Sequence, residues 1–137
     1  MLAERLGGLL KGGEVIELVS DLGGGKTTFV RGLARGIGSQ DQVSSPTFTI
    51  NNVYQGSSLK LYHFDFYRLF EPGIMREELA EVVADPQAVI VVEWADIVDD
   101  ILPAKRLTIT ITATGEQSRR YTFAAGDNMA QLVQGLQ

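Results

Sequence analysis

Between Ser20 and Thr28 the chain runs Ser-Asp-Leu-Gly-Gly-Gly-Lys-Thr-Thr. Gly23, Gly24 and Gly25 carry no Cβ, so their amide groups can curl around an anion that a side chain would keep at a distance. Lys26 adds a point charge able to reach the β- and γ-phosphates of a nucleoside triphosphate, and the hydroxyl of Thr27 can ligate Mg²⁺. Leu22, Gly23, Gly24, Gly25, Lys26, Thr27 and Thr28 therefore form a candidate nucleotide-binding stretch. The usual pattern for this chemistry is G-x-x-x-x-G-K-S/T. Here Ser20 stands in the first glycine position, at a cost of about 1 kcal/mol if that position needs positive φ. The bland alternative is a glycine-rich turn that binds nothing.

Two carboxylates elsewhere fit the same chemistry. Glu93 ends an apolar run, where phosphate-loop proteins place the acid that holds Mg²⁺ directly or through water. Alone it would read equally well as a strand-end carboxylate facing solvent. In His63-Phe64-Asp65-Phe66-Tyr67-Arg68 the side chains of His63, Asp65 and Tyr67 recur at every second position, so they line one side of an extended strand, and Arg68 closes the group. Asp65 beside a metal-bound triphosphate can hold metal-bound water or orient an attacking water. For His63 the plain alternative is a satisfied, half-buried histidine, and for Tyr67 it is packing. Ser45-Pro46-Thr47 follows the helix after the loop, where nucleotide switches sense the third phosphate; its plain reading is a turn stiffened by Pro46. Trp94, the only tryptophan, fits either the core or a contact beside the nucleotide.

These residues need elements to hold them. Val15–Val19 reads as a buried strand entering the loop. Phe29, Val30, Leu33, Ala34 and Ile37 share one face of the helix that leaves it, with Arg31 and Arg35 opposite. A strand, a glycine turn and a helix in that order are the context in which a phosphate-loop pattern becomes a site. Leu2, Leu6, Leu9 and Leu10 mark an earlier helix ended by Gly12-Gly13, and Gly36-Ile37-Gly38 stops the second. Ser39 to Pro46 reads as a loop. Phe48, Ile50 and Tyr54 give an imperfect strand pattern, Gly56-Ser57-Ser58 a turn, and Leu59 to Phe66 a second alternating run, together an antiparallel hairpin. Arg68 to Gly73 reads as a loop. Met75, Leu79, Val82 and Val83 mark a short helix with Glu77, Glu78 and Glu81 outward, stopped by Asp85-Pro86. Ala88 to Val92 has the signature of a buried parallel strand. Leu107 to Thr112 and Arg120 to Phe123 alternate around a turn near Gly115, a late hairpin. Asp127 or Asn128 caps a final helix with Met129, Leu132, Val133 and Leu136.

The chain has 137 residues, 45% of them hydrophobic and 21% charged, with no cysteine and a net charge of −5. That size supports one domain, 1–137, with a real core. It leaves no thiolate metal site and no disulfide framework. No apolar run approaches the ~20 residues of a membrane span, and the first ten residues lack a signal-peptide pattern, so a cytoplasmic location is expected. The acidic balance argues against a surface that is wholly a nucleic-acid footprint, while a local basic patch or action on RNA through a partner remains open.

Taken in order, Asp-Leu-Gly-Gly-Gly-Lys-Thr-Thr-Phe, Ser-Pro-Thr-Phe-Thr, His-Phe-Asp-Phe-Tyr-Arg and Val-Val-Glu-Trp resemble the TsaE (YjeE) family over nearly the whole chain. The resemblance implies a bacterial P-loop ATPase with a three-layer α/β/α fold and a mixed sheet centred on the phosphate loop. It further implies partnership with TsaB and TsaD, which attach threonylcarbamoyl to an adenosine of tRNA, so that the chain meets tRNA only through the complex. By resemblance ATP and Mg²⁺ are the cofactors: Lys26 and the loop amides bind phosphates, Thr27, Glu93 and Asp65 serve the metal, and Lys26, Asp65 and Glu93 serve hydrolysis. Ser45, Pro46 and Thr47 would be the switch, and His63, Tyr67, Arg68 and Trp94 complete the family motifs. Ser20 departs from the loop pattern, and the chain starts closer to the loop than the family leads one to expect.

Two other functions compete with an ATPase that resets a modification complex. One is a nucleotide-gated assembly module in which hydrolysis is incidental. The other is a small-molecule kinase, which usually needs an arginine-rich lid that 137 residues leave little room for.

Overall fold

The computed structural model describes residues 2–20, 26–40, 51–65, 73–93, 100–102, 106–115 and 119–125, with the backbone alone at 26, 27, 51, 52, 65, 73–76, 113, 119 and 125. In chain order the elements are α1 (Leu2–Leu9), β1 (Val15–Val19), α2 (Lys26–Gly36), β2 (Asn51–Gln55), β3 (Lys60–Asp65), α3 (Gly73–Val83), β4 (Ala88–Glu93), β5 (Leu107–Ala113) and β6 (Arg119–Ala125). The expected helix over 127–137 lies outside the described residues. So does the first half of the alternating run at Phe48 and Ile50; its described part is β2. Helix α3 opens at Gly73, a residue placed in the preceding loop by sequence pattern.

The strands form one mixed sheet in the order β2-β3-β4-β1-β5-β6. β4 is buried along its whole length. It has parallel partners on both sides, β3 and β1, as a strand of continuous Val and Ile requires when both faces are covered. β1 is parallel to β5 as well. The two expected hairpins, β2–β3 and β5–β6, are antiparallel and flank this parallel centre. Period-two alternation then divides the core. Ile16, Leu18, Leu61, Val89, Val91, Leu107, Ile109 and Ile111 face α1 and α2, where Phe29, Val30, Leu33 and Leu6 meet them. Val15, Phe64, Ile90 and Val92 face the other way, with Leu79 of α3. The result is three layers, helices on either side of a sheet.

Glycine decides how closely α1 approaches α2. A Cβ on Gly36 would lie 2.3 Å from the carbonyl oxygen of Glu4 and 2.6 Å from Cα of Gly7. A Cβ on Gly7 would meet the Leu33 carbonyl oxygen at 2.6 Å. Both obstacles are backbone, which cannot rotate aside. Gly36→Ala is therefore expected to destabilise the protein by about 1–3 kcal/mol, read from the midpoint of urea denaturation. Gly8→Ala is the control: among the described residues its Cβ would meet nothing nearer than 4.0 Å, and a helical glycine-to-alanine change at such a site stabilises by up to about 1 kcal/mol.

The ends of the elements are held by local bonds. The Gly38 amide donates to the Arg35 carbonyl at 3.0 Å and the Ser39 amide to the Ala34 carbonyl at 2.9 Å. With Gly38 at φ 90°, this is a Schellman end to α2, as the glycine pattern implied. Before β1, the Glu14 carboxylate accepts from the amides of Lys11 at 2.8 Å and Gly12 at 2.7 Å. That tight turn starts β1 beside β4, where the Ile90 amide donates to the Glu14 carbonyl at 3.0 Å.

Candidate functional site

The parallel strands β3, β4, β1 and β5 all end on one edge of the sheet. In open α/β sheets this carboxyl edge is where ligands bind. Leu18 of β1 and Asp65 of β3 both register against Glu93, the last residue of β4. Beyond the end of β1, α2 begins at Lys26. The helix thus offers its first turn, with the unsatisfied amides and partial positive charge of a helix N-terminus, to the same edge. The backbone of Asp65 and that of Glu93, residues far apart in the chain, are brought side by side there by strand pairing.

The best-defined group at this edge is Glu93. It is only 4% exposed, so the plain alternative, a strand-end carboxylate facing solvent, does not hold. Nε2 of His63 is hydrogen-bonded to its Oε2. His63 is 0% exposed, fully buried rather than half-buried, and among the described residues it is only half satisfied: its Nδ1 has no hydrogen-bond partner there. The pairing follows from register. His63 lies opposite Val91, two residues before the Asp65–Glu93 pair. Side chains two apart share a face, so His63 and Glu93 are diagonal neighbours on the face that carries Leu61 and Val91 in the core with α1 and α2.

The proton arrangement follows from the donor inventory. Against an ionised carboxylate, which only accepts, the bonded Nε2 has to be the donor. Leaving a polar atom buried and unpaired costs about 1–3 kcal/mol. An apolar side chain at position 63 would avoid that cost. The bond to Glu93 is therefore what the histidine supplies that a leucine cannot.

This donor set fits a magnesium–nucleotide complex. Mg²⁺ takes hard oxygen ligands, keeps several waters, and is held by one or two carboxylates together with substrate phosphates. A carboxylate accepts at about four lone-pair positions, so the bond from His63 does not by itself exclude a metal ion or its water. Asp65 ends the adjacent strand at the same level. Thr28, also assigned to the nucleotide stretch, is exposed in the first turn of α2. Leu22, Gly23, Gly24 and Gly25 lie outside the described residues, as do Ser45, Pro46 and Thr47, Tyr67 and Arg68, and Trp94. For Lys26, Thr27 and Asp65 the backbone position is established.

Sequence pattern singled out His63 and Glu93 separately but missed their pairing. Period two puts His63 on the face of Asp65. Only the parallel register of β3 on β4 puts Glu93 next to both.

Comparison with known proteins gives a consistent result. A family model described as threonylcarbamoyl adenosine biosynthesis protein TsaE matches residues 1–121. The chain is 39% identical over 136 residues to the tRNA threonylcarbamoyladenosine biosynthesis protein TsaE of Bacillus subtilis (strain 168), covering 96% of this chain and 82% of that protein. It is 40% identical over 119 residues to the protein of the same name from Treponema pallidum (strain Nichols), covering 87% of each. The crystal structure of YdiB from Bacillus subtilis matches with a TM-score of 0.76 at 34% identity, covering 98% of this chain and 84% of that one. The fold is accordingly the expected α/β, P-loop NTPase type, three layers around a mixed sheet with β1 in its interior. With the family model covering nearly nine-tenths of the chain and these relatives most of it, the protein belongs to the TsaE family of threonylcarbamoyl adenosine biosynthesis proteins.

Proposed function

We propose that this chain is a single ATPase domain over residues 1–137 that binds Mg²⁺–ATP at the carboxyl edge of β1, β3 and β4. Its hydrolysis supports turnover of a TsaB–TsaD transferase making N6-threonylcarbamoyladenosine in tRNA. The observation that carries the reading is Glu93: a buried carboxylate, anchored by a histidine, at the edge where α2 begins with Lys26. Bound there, Mg²⁺ would neutralise phosphate charge and order water. Residues 22–28 would cradle the phosphates, Lys26 would pair with the β- and γ-phosphates, and Thr27 and Glu93 would hold the metal. Asp65 would orient the attacking water, and Ser45-Pro46-Thr47 would sense the third phosphate. Among the described residues no helix is long and apolar enough to cross a membrane. A cytoplasmic site of action, and contact with tRNA only through the partners, complete the proposal and suit a net charge of −5.

The test is a pull-down of the full chain with TsaB and TsaD, with Mg²⁺–ATP and without it, alongside phosphate release by the assembled complex. Retention that depends on ATP, together with hydrolysis that rises on assembly, is the expected outcome. Failure of the chain to associate under either condition would refute the role in the complex. Association without any nucleotide dependence would refute the ATP-driven cycle.

A further inference from the structure

We propose that His63 is a positioning residue for Glu93: through its Nε2–H it fixes the orientation of the carboxylate that receives Mg²⁺. The inference rests on the proposed metal role of Glu93 and adds a second residue to it. Three observations carry it. His63 is fully buried, so its ring is held by packing and not by solvent. Its Nε2 is bonded to Oε2 of Glu93, while its Nδ1 has no hydrogen-bond partner among the described residues. Glu93 ends β4 and His63 lies two residues before the end of β3, adjacent parallel strands whose register is set along their whole length, from Lys60 against Ala88 to Asp65 against Glu93.

Packing alone does not account for a histidine here. Burial with an unmet nitrogen is unfavourable, and an aliphatic side chain among Leu61, Val89 and Val91 would be the simpler core. The ring does something an aliphatic group cannot: it holds one oxygen of a carboxylate that is only 4% exposed. Carboxylates that ligate metals are commonly held in this way by a hydrogen bond from behind, and loss of such a partner weakens metal binding or activity about 10–100-fold. A carboxylate free to rotate would pay its ordering entropy each time a metal ion bound.

The proposal is tested on the full chain by binding a fluorescent, non-hydrolysable ATP analogue in EDTA and across a Mg²⁺ titration. His63→Leu is expected to raise the apparent Kd for Mg²⁺ at saturating analogue about 10–100-fold, with analogue affinity in EDTA unchanged. His63→Gln places an amide nitrogen at the same number of bonds from the backbone as Nε2, and should recover most of the loss. His63→Asn places its amide where Nδ1 sits and should not. Glu93→Ala separates the two levels of the reading. If Glu93→Ala abolishes the Mg²⁺ effect while His63→Leu binds Mg²⁺ like the native chain, the positioning role is overturned and the metal site stands. If the native chain and Glu93→Ala respond to Mg²⁺ alike, the metal role of Glu93 falls, and this inference with it.

A second measurement covers the case in which the leucine variant does not fold. The chain contains one histidine, so the native protein with labelled imidazole nitrogens gives signals from His63 alone. Adding Mg²⁺ to the analogue-bound protein should shift the Nε2–H resonance. A resonance that stays in place at Mg²⁺ saturation would overturn the proposal without any variant.

Discussion

Glu93→Ala is expected to lower Mg²⁺-dependent ATP hydrolysis by at least about a hundredfold, the upper end of what a partner standing behind a metal ligand contributes. It should also lower stability by about 1–3 kcal/mol, because the buried imidazole of His63 loses the acceptor for its Nε2–H. The two effects have different causes and can be pulled apart. In Glu93→Gln the side-chain oxygen can still accept from His63 but carries no charge. Stability should return most of the way toward the native value while hydrolysis stays low. Phosphate release by the complex and urea denaturation of the isolated chain give the two numbers. A Glu93→Ala chain as stable as the native one would show that the bond to His63 contributes nothing. One as active would remove Glu93 from the metal site.

The second large effect is expected at Asp65. Its backbone sits beside Glu93 at the end of the adjacent strand, which is where a residue that orients water against a metal-bound triphosphate has to stand. Asp65→Ala should leave ATP binding within reach of the native affinity and cut turnover about a thousandfold, inside the range for loss of a positioned acid–base group. In a reconstituted TsaB–TsaD reaction the variant should support about one round of modification per complex and then stall, if hydrolysis resets the assembly. Multiple-turnover modification at the native rate would favour the alternative in which the chain is a nucleotide-gated assembly module. The comparison between Glu93 and Asp65 is informative in itself: the first variant should lose metal-dependent binding and hydrolysis together, the second hydrolysis alone.

Most of the scaffold was legible from residue order. The strand Val15–Val19, the helical face of Phe29, Val30, Leu33, Ala34 and Ile37, the buried run from Ala88, and both hairpins are written in periodicity of 3.6 or 2, which is a local property of the chain. The end of α2 was legible for the same reason, since Gly38 can take positive φ at little cost and its neighbours cannot. Other features were not. Gly7 and Gly36 look like weak points in their helices, and only the crossing of α1 over α2 reveals that each makes room for the other's backbone. Glu14 looks like a surface acid before a strand, yet its carboxylate closes the turn at Lys11 and Gly12.

The candidate site divides along the same line. The residue types themselves, three glycines with Lys26 and Thr27, a carboxylate after an apolar strand, and the alternation of His63 and Asp65, were determined by sequence, because phosphate and metal chemistry admit few side chains and local spacing shows which of them share a face. That β1 lies between β4 and β5, and that β3 pairs with β4 in the register that sets Asp65 against Glu93, was decided by tertiary structure. So was the bond that joins His63 to a carboxylate thirty residues further along the chain. Register is chosen by which pairing buries Leu61, Val89, Val91 and Phe64 on their proper faces. That is a property of the packed sheet and both its helical layers, and no window of sequence contains it.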